Sequence, residues 1–170
     1  MRASHHASPR NRSRVILLLA AALAAFSLFG ATQAQAPSFG VSVIPFTGGW
    51  PEGMLTVRVP FYTYETNEGP LVLAGRLDMS APLNFRGLPR IGLSGTGLFT
   101  SHDMFQPYFG AGAALGWVGP PEAQSIHVTP TLLSGVRFPL TEIVSAQAEA
   151  IVAPFMGRLS VGVGVELAVR

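Results

Sequence analysis

The sequence predicts an all-β protein: an eight-stranded antiparallel up-and-down transmembrane β-barrel that follows an N-terminal signal peptide. Three observations carry this. Residues 37–170 alternate with a period close to two, broken by Gly, Pro and Asn clusters at nearly regular intervals, which is the pattern of strands joined by turns. Only 12% of the residues are charged, where a soluble domain commonly has about 25%. The faces opposite the aliphatic ones carry Gly, Ala and charges of both signs, which suits a narrow barrel interior better than a wet surface.

The N-terminal segment reads as a targeting signal. Arg2, Arg10, Arg12 and Arg14 precede the apolar run Val15–Gly30, and Ala34-Gln35-Ala36 supplies a small-x-small cleavage site. The run is shorter than the about 20 residues of a spanning helix. The domain reading is therefore residues 1–36 as signal peptide and 37–170 as barrel. With no cysteine in the chain, lipoprotein processing, a disulfide scaffold and a Cys-based metal site are all excluded. The signal holds four of the arginines and none of the acids, so the remaining chain is slightly acidic and lacks the clustered basic footprint of a nucleic-acid binder.

The strands follow in order. The first, at 39–46, sets Val41 and Val43 against Ser42. The second, 54–65, alternates Leu55, Val57, Val59 and Phe61 with Thr56, Arg58, Pro60 and Tyr62; the third, 71–80, sets Leu71, Leu73, Leu77 and Met79 against Arg76, Asp78 and Ser80. The fourth, 89–100, carries Ile91 and Leu93 against Arg90 and Ser94. The fifth, 106–118, pairs Phe109, Ala111, Ala113, Leu115 and Trp117 with Tyr108, Gly110, Gly112, Ala114 and Gly116. The sixth, 126–138, opposes Val128, Leu132, Val136 and Phe138 to His127, Thr129 and Arg137. The seventh, 143–153, opposes Val144, Ala146, Ala148, Ala150 and Val152 to Ser145, Gln147 and Glu149. The eighth, 159–170, is the most regular, with Leu or Val at every odd position and small or charged residues, Glu166 among them, at every even one. Pro45, Pro60, Pro107 and Pro130 weaken their strands, because proline cannot donate to a ladder.

In a soluble barrel the aliphatic face would be the core; in an outer-membrane barrel it meets lipid and the polar face fills the lumen. The second arrangement predicts a structural charge network inside, formed by Arg58, Arg76, Asp78, Arg90, Arg137, Glu149 and Glu166, since a buried charge must find a partner. Phe39, Phe46, Trp50, Phe61, Tyr62, Tyr64, Phe99, Phe105, Tyr108, Trp117, Phe138 and Phe155 lie near predicted strand ends, as interfacial girdles require. Eight strands enclose a lumen that side chains can fill.

Two segments resemble a known family. Pro107-Tyr-Phe-Gly-Ala-Gly-Ala-Ala-Leu-Gly-Trp117 is similar to the Pro-Tyr-x-Gly-x-Gly strand of small outer-membrane barrels of the OmpA-like and opacity-like type. Gly135-Val-Arg-Phe-Pro-Leu-Thr-Glu142, continuing to Ala148-Glu149-Ala150, resembles that superfamily's Gly-x-Arg-Tyr, Leu-Thr-Asp turn and Ala-Glu-Tyr strand. The likeness covers roughly residues 105 to 170, and it implies that Arg137 and Glu149 are lumen residues of neighbouring strands and candidates for an ion pair. The chain departs from the family in ending Val169-Arg170 instead of in an aromatic residue.

Chemistry-bearing patterns are sparse. His102 and His127 are the histidines beyond the signal, and nothing clusters with metal-ligand spacing, so neither metal nor cofactor is expected. A hydrolase of envelope lipids could use His127 with Ser134 or Ser145 and Glu149, but geometry defines a triad, and a hydrogen-bonded lumen histidine is the simpler reading. The predicted connections are short, unlike those of an adhesin.

The expectation is a non-enzymatic, structural outer-membrane barrel, stabilising the cell envelope or serving as a small subunit of a larger envelope complex. Its partners are outer-membrane lipid and, as a candidate, another envelope protein or barrel. The competing reading is a soluble secreted or periplasmic barrel that binds a small apolar ligand. The orientation of Arg58, Arg76, Glu149 and Glu166 separates the two.

Overall fold

A computed structural model of the chain describes residues 36–46, 51–84, 88–100, 104–118, 125–154 and 158–169. The signal reading at 1–36 falls almost wholly outside the described residues, as do Trp50, His102 and Phe155.

Eight strands are present: β1 (Ser38–Phe46), β2 (Glu52–Thr66), β3 (Gly69–Pro82), β4 (Arg90–Phe99), β5 (Gln106–Val118), β6 (Ser125–Pro139), β7 (Val144–Ala153) and β8 (Arg158–Ala168). Each pairs antiparallel with its neighbour in sequence, and β1 pairs with β8 to close the barrel. The closing seam runs from Ser38 opposite Ala168 to Phe46 opposite Val161, with an irregularity between Val43 and Phe46 that accommodates Pro45. Because the strands simply alternate in direction, the β2–β3, β4–β5 and β6–β7 connections share one end of the barrel with Pro37 and Val169. We call this the terminus end, and the opposite rim the loop end.

The turns at the terminus end follow from local chemistry. Between β2 and β3 only Asn67 and Glu68 intervene; Thr66 Oγ1 donates to the Gly69 carbonyl at 2.6 Å and accepts from the Glu68 N–H at 3.2 Å. Gly69 completes the turn at φ 110°, a conformation that L side chains resist. Between β6 and β7, Leu140 and Thr141 both donate their N–H to the Val144 carbonyl, and Thr141 Oγ1 accepts from the N–H of Ile143 and of Val144.

The alternation read from sequence corresponds to two faces, and they are inverted relative to a soluble protein. Inside are Arg76 at 0% exposure and Glu166 at 1%; outside are Val41 at 60% and Val163 at 56%. Two corrections apply. A bulge between Pro60 and Tyr62 places two consecutive residues, Phe61 and Tyr62, on the outer wall, so Tyr62 is exposed and not inward. Tyr108, expected in the girdle, is buried in the lumen, because its even position in β5 is an inward one. The exposed aromatics among the described residues, Phe39, Phe61, Tyr62, Tyr64, Phe105, Phe109 and Phe138, all lie in the terminus-end half.

Candidate functional site

The interior is the site, and β2, β3, β5, β7 and β8 build it by sending alternate residues inward. At its centre the Arg76 guanidinium holds two carboxylates. Its Nε donates to Asp78 at 2.8 and 3.0 Å, and its terminal nitrogens donate to the two oxygens of Glu149 at 2.5 and 2.9 Å. Thr56 Oγ1 donates to Asp78 at 2.7 Å, and the Tyr108 hydroxyl donates to Glu149 Oε2 at 2.9 Å. The fork of Arg matches the two oxygens of Glu149, which is why Arg suits this position better than Lys would.

A second centre lies beside it. Arg58 donates to both oxygens of Glu166 at 3.0 and 3.2 Å, and Glu166 also accepts from the Ser38 hydroxyl. The Arg58 Nε and its other terminal nitrogen have no hydrogen-bond partner, but the guanidinium carbon sits 4.8 Å from the centre of the Tyr108 ring. The negative face of the ring thus takes up charge that the single carboxylate does not. Tyr108 therefore joins the two centres, its ring on Arg58 and its hydroxyl on Glu149. It fits because Gly135 stands opposite it across the β5–β6 ladder; a Cβ there would lie 2.6 Å from the Tyr108 ring.

Arg137 is placed differently from the expectation that it pairs with Glu149. The register sets Gly135 opposite Glu149 and Arg137 opposite Gln147, one inward position nearer the terminus end. There Arg137 Nε donates to Ser145 Oγ at 2.9 Å, while Glu149 is already held by Arg76 and Tyr108. Gln147 reaches across to Ser42 Oγ at 3.0 Å.

Arg90 sits apart from this network, at the loop end and partly exposed. It shares the Glu52 carboxylate with Arg158, at 3.1 and 2.8 Å respectively. Neither Glu52 nor Arg158 was legible as a site residue, because both fell in predicted connections. The strands run further than their alternation, β2 starting at Glu52 and β8 at Arg158. Tyr108 could have been found from its even position alone.

The lumen is not filled throughout. Between the central network and the loop end lies a cavity of about 260 Å3 that reaches the rim beside His127. The alternative of a hydrolytic group at His127 is not assembled. Ser134 points outward, Ser145 is buried against Arg137 at the far end, and Glu149 is bound in the network. The serine near His127 is Ser125, two residues away on the same strand, with Oγ 3.1 Å from Nε2.

No family model and no curated protein matches the chain. Among solved structures it is similar to a designed transmembrane β-barrel, at TM-score 0.58 and 13% identity over 82% of this chain and 100% of that one. It is also similar to the N-terminal β-barrel domain of Pseudomonas aeruginosa OprF, at TM-score 0.54 and 16% identity over 79% of this chain and 98% of that one. Neisserial surface protein A aligns at TM-score 0.49 and 12% identity, covering 80% and 96% of the respective chains. At these identities the first two likenesses establish the fold, a closed eight-stranded barrel of the kind found in the OprF N-terminal domain.

Proposed function

We propose that this protein is a structural, non-enzymatic barrel of the outer membrane that stabilises the cell envelope or serves as a small subunit of a larger envelope complex. The observation that carries the reading is the inversion of the two faces. Arg58, Arg76, Glu149 and Glu166 are all inward and at most 4% exposed, while Val41, Leu55, Leu132, Leu159 and Val163 form an aliphatic outer wall. Water would penalise such a wall, whereas hydrocarbon accepts it. Closure of the sheet leaves no edge unpaired, as a lipid environment demands. The competing soluble reading needs the opposite orientation of those four charges.

The central network is a structural plug. Its Arg76–Glu149 pair crosses the lumen between the opposite strands β3 and β7, and its Arg58–Glu166 pair ties β2 to β8 across β1, so it braces the walls and blocks free passage. The fold likeness and the motifs at 107–117 and 135–150 support kinship with the OmpA-like and opacity-like barrels. Residues 1–36 act in this reading as the export signal, and outer-membrane lipid is the first partner.

The test is the mobility of envelope-extracted protein on gels with and without boiling, together with fractionation. The expected result is a heat-dependent shift and absence from the soluble fraction, with a mature chain beginning at Pro37. A soluble protein with no shift would overturn the reading.

A further inference from the structure

The cavity at the loop end has a more specific chemistry than a packing defect would have. Its wall is mostly apolar, with Ile44, Met54, Leu133 and Ile151 contributing, and its volume of about 260 Å3 lies just short of the ~300 Å3 at which small-molecule sites begin. It would therefore take only a small organic molecule.

Three features define the molecule. The first is charge. Away from the mouth Arg58, Arg76 and Arg137 are equalled in number by Asp78, Glu149 and Glu166, but at the mouth Arg90 and Arg158 share the one carboxylate of Glu52. Among the described lumen residues the surplus is one positive charge, located at the rim. Two guanidiniums offer more N–H donors than a single carboxylate can accept. The second feature is an orphan. Ser94 lines the deep wall at 9% exposure, and its Oγ, itself buried, has no hydrogen-bond partner. Asp78 faces the same space from β3 with its side chain 14% exposed. The third is span. Arg90, Gly92 and Ser94 are successive inward positions of β4, so mouth and deep hydroxyl are roughly 13 Å apart along the strand.

We propose that this cavity binds a small monocarboxylate with an apolar body and a hydroxyl at its far end. The carboxylate completes the coordination of Arg90 and Arg158 at the mouth. The body packs between Met54 and Ile151. The far hydroxyl accepts from Ser94 and donates to Asp78. This assignment goes beyond the structural role and rests on the cavity itself, so it can fail while the membrane reading stands.

The experiment uses para-hydroxyphenylpropanoate as probe, with full-length mature protein in lipid nanodiscs at low salt and binding followed by calorimetry. Saturable binding is expected, with phenylpropanoate and para-hydroxyphenylpropanol, which lack the hydroxyl and the anion respectively, each at least about tenfold weaker. Gly92→Leu should abolish binding. A Cβ at Gly92 makes only ordinary contact, 3.5 Å from Asp78 Cβ, so the backbone tolerates it while the side chain occupies the cavity. Arg158→Gln should weaken binding and Glu52→Gln should tighten it, since the latter removes the competing carboxylate. Heat-dependent gel mobility checks that each variant is folded; should Gly92→Leu not fold, the opposite signs of the other two decide. Absence of saturable binding, binding that survives in folded Gly92→Leu, or equal affinity for all three probes would overturn the assignment.

Discussion

Arg76 concentrates the energetics of this interior. It is fully buried and bound to two carboxylates from two strands, so removing Glu149 leaves Asp78 to balance its charge but takes the charged acceptor from its two terminal nitrogens where water cannot reach them. Glu149→Gln is accordingly expected to cost about 3–5 kcal/mol in unfolding by urea from lipid vesicles. Tyr108→Phe removes a single hydrogen bond to a charged acceptor and keeps the ring on Arg58, so its cost should be smaller, about 1.5–3 kcal/mol. Gly135→Ala is the steric counterpart: its methyl would meet the Ala148 carbonyl oxygen as well as the Tyr108 ring and hydroxyl. A loss of about 1–3 kcal/mol by the same measurement is expected, as for other overpacked sites. If Tyr108 instead behaved as a girdle residue at a lipid interface, Tyr108→Phe would leave the lumen undisturbed.

At the scale of elements, the prolines show how a strand absorbs a residue that cannot donate. Pro60 adjoins the β2 bulge, and Pro45 lies within the β1 irregularity. Pro130 stands in the part of β6 that overhangs β7, whose pairing with β6 begins only at Leu132. β8 has no such interruption and carries the regular aliphatic outer face. Val163 is at its middle, paired with Val43 and Ala148. Val163→Arg is expected to destabilise the inserted barrel by about 2–4 kcal/mol, the cost of a cation near the bilayer midplane. Equal stability of this variant in lipid would contradict a hydrocarbon environment for β8.

For the whole molecule, the two ends differ. Among the described residues, the terminus end has the two-residue β2–β3 turn and the exposed aromatic side chains, whereas the loop end has the Glu52, Arg90 and Arg158 rim and the cavity. Short turns mark the inner side of outer-membrane barrels and longer connections the outer side. An epitope inserted between Asn67 and Glu68 should therefore be protected from protease added to intact cells. One inserted between β3 and β4 at Phe85 should be cleaved. The reverse pattern would turn the barrel over in the membrane and put the cavity on the inside.

The period-two alternation was enough to determine the number of strands and to put Arg58, Arg76, Asp78, Glu149 and Glu166 on the faces opposite the aliphatic ones, because side-chain direction in a strand is a local property; which face turns inward rested on composition and is decided by the burial of those residues. It failed where the backbone breaks that period or where a strand outruns its pattern: at Phe61 and Tyr62 through the bulge, and at Glu52 and Arg158 beyond the last clear alternation. What it could not reach is which inward residues meet. Arg137 binds Ser145 and not Glu149, Tyr108 bridges two ion pairs, and one stretch of lumen stays open. Those outcomes depend on register and on contacts across the closed barrel between residues as far apart in sequence as Ser38 and Glu166. Only the tertiary structure decides them, because shifting a register by two residues keeps every side chain on its face while changing every partner.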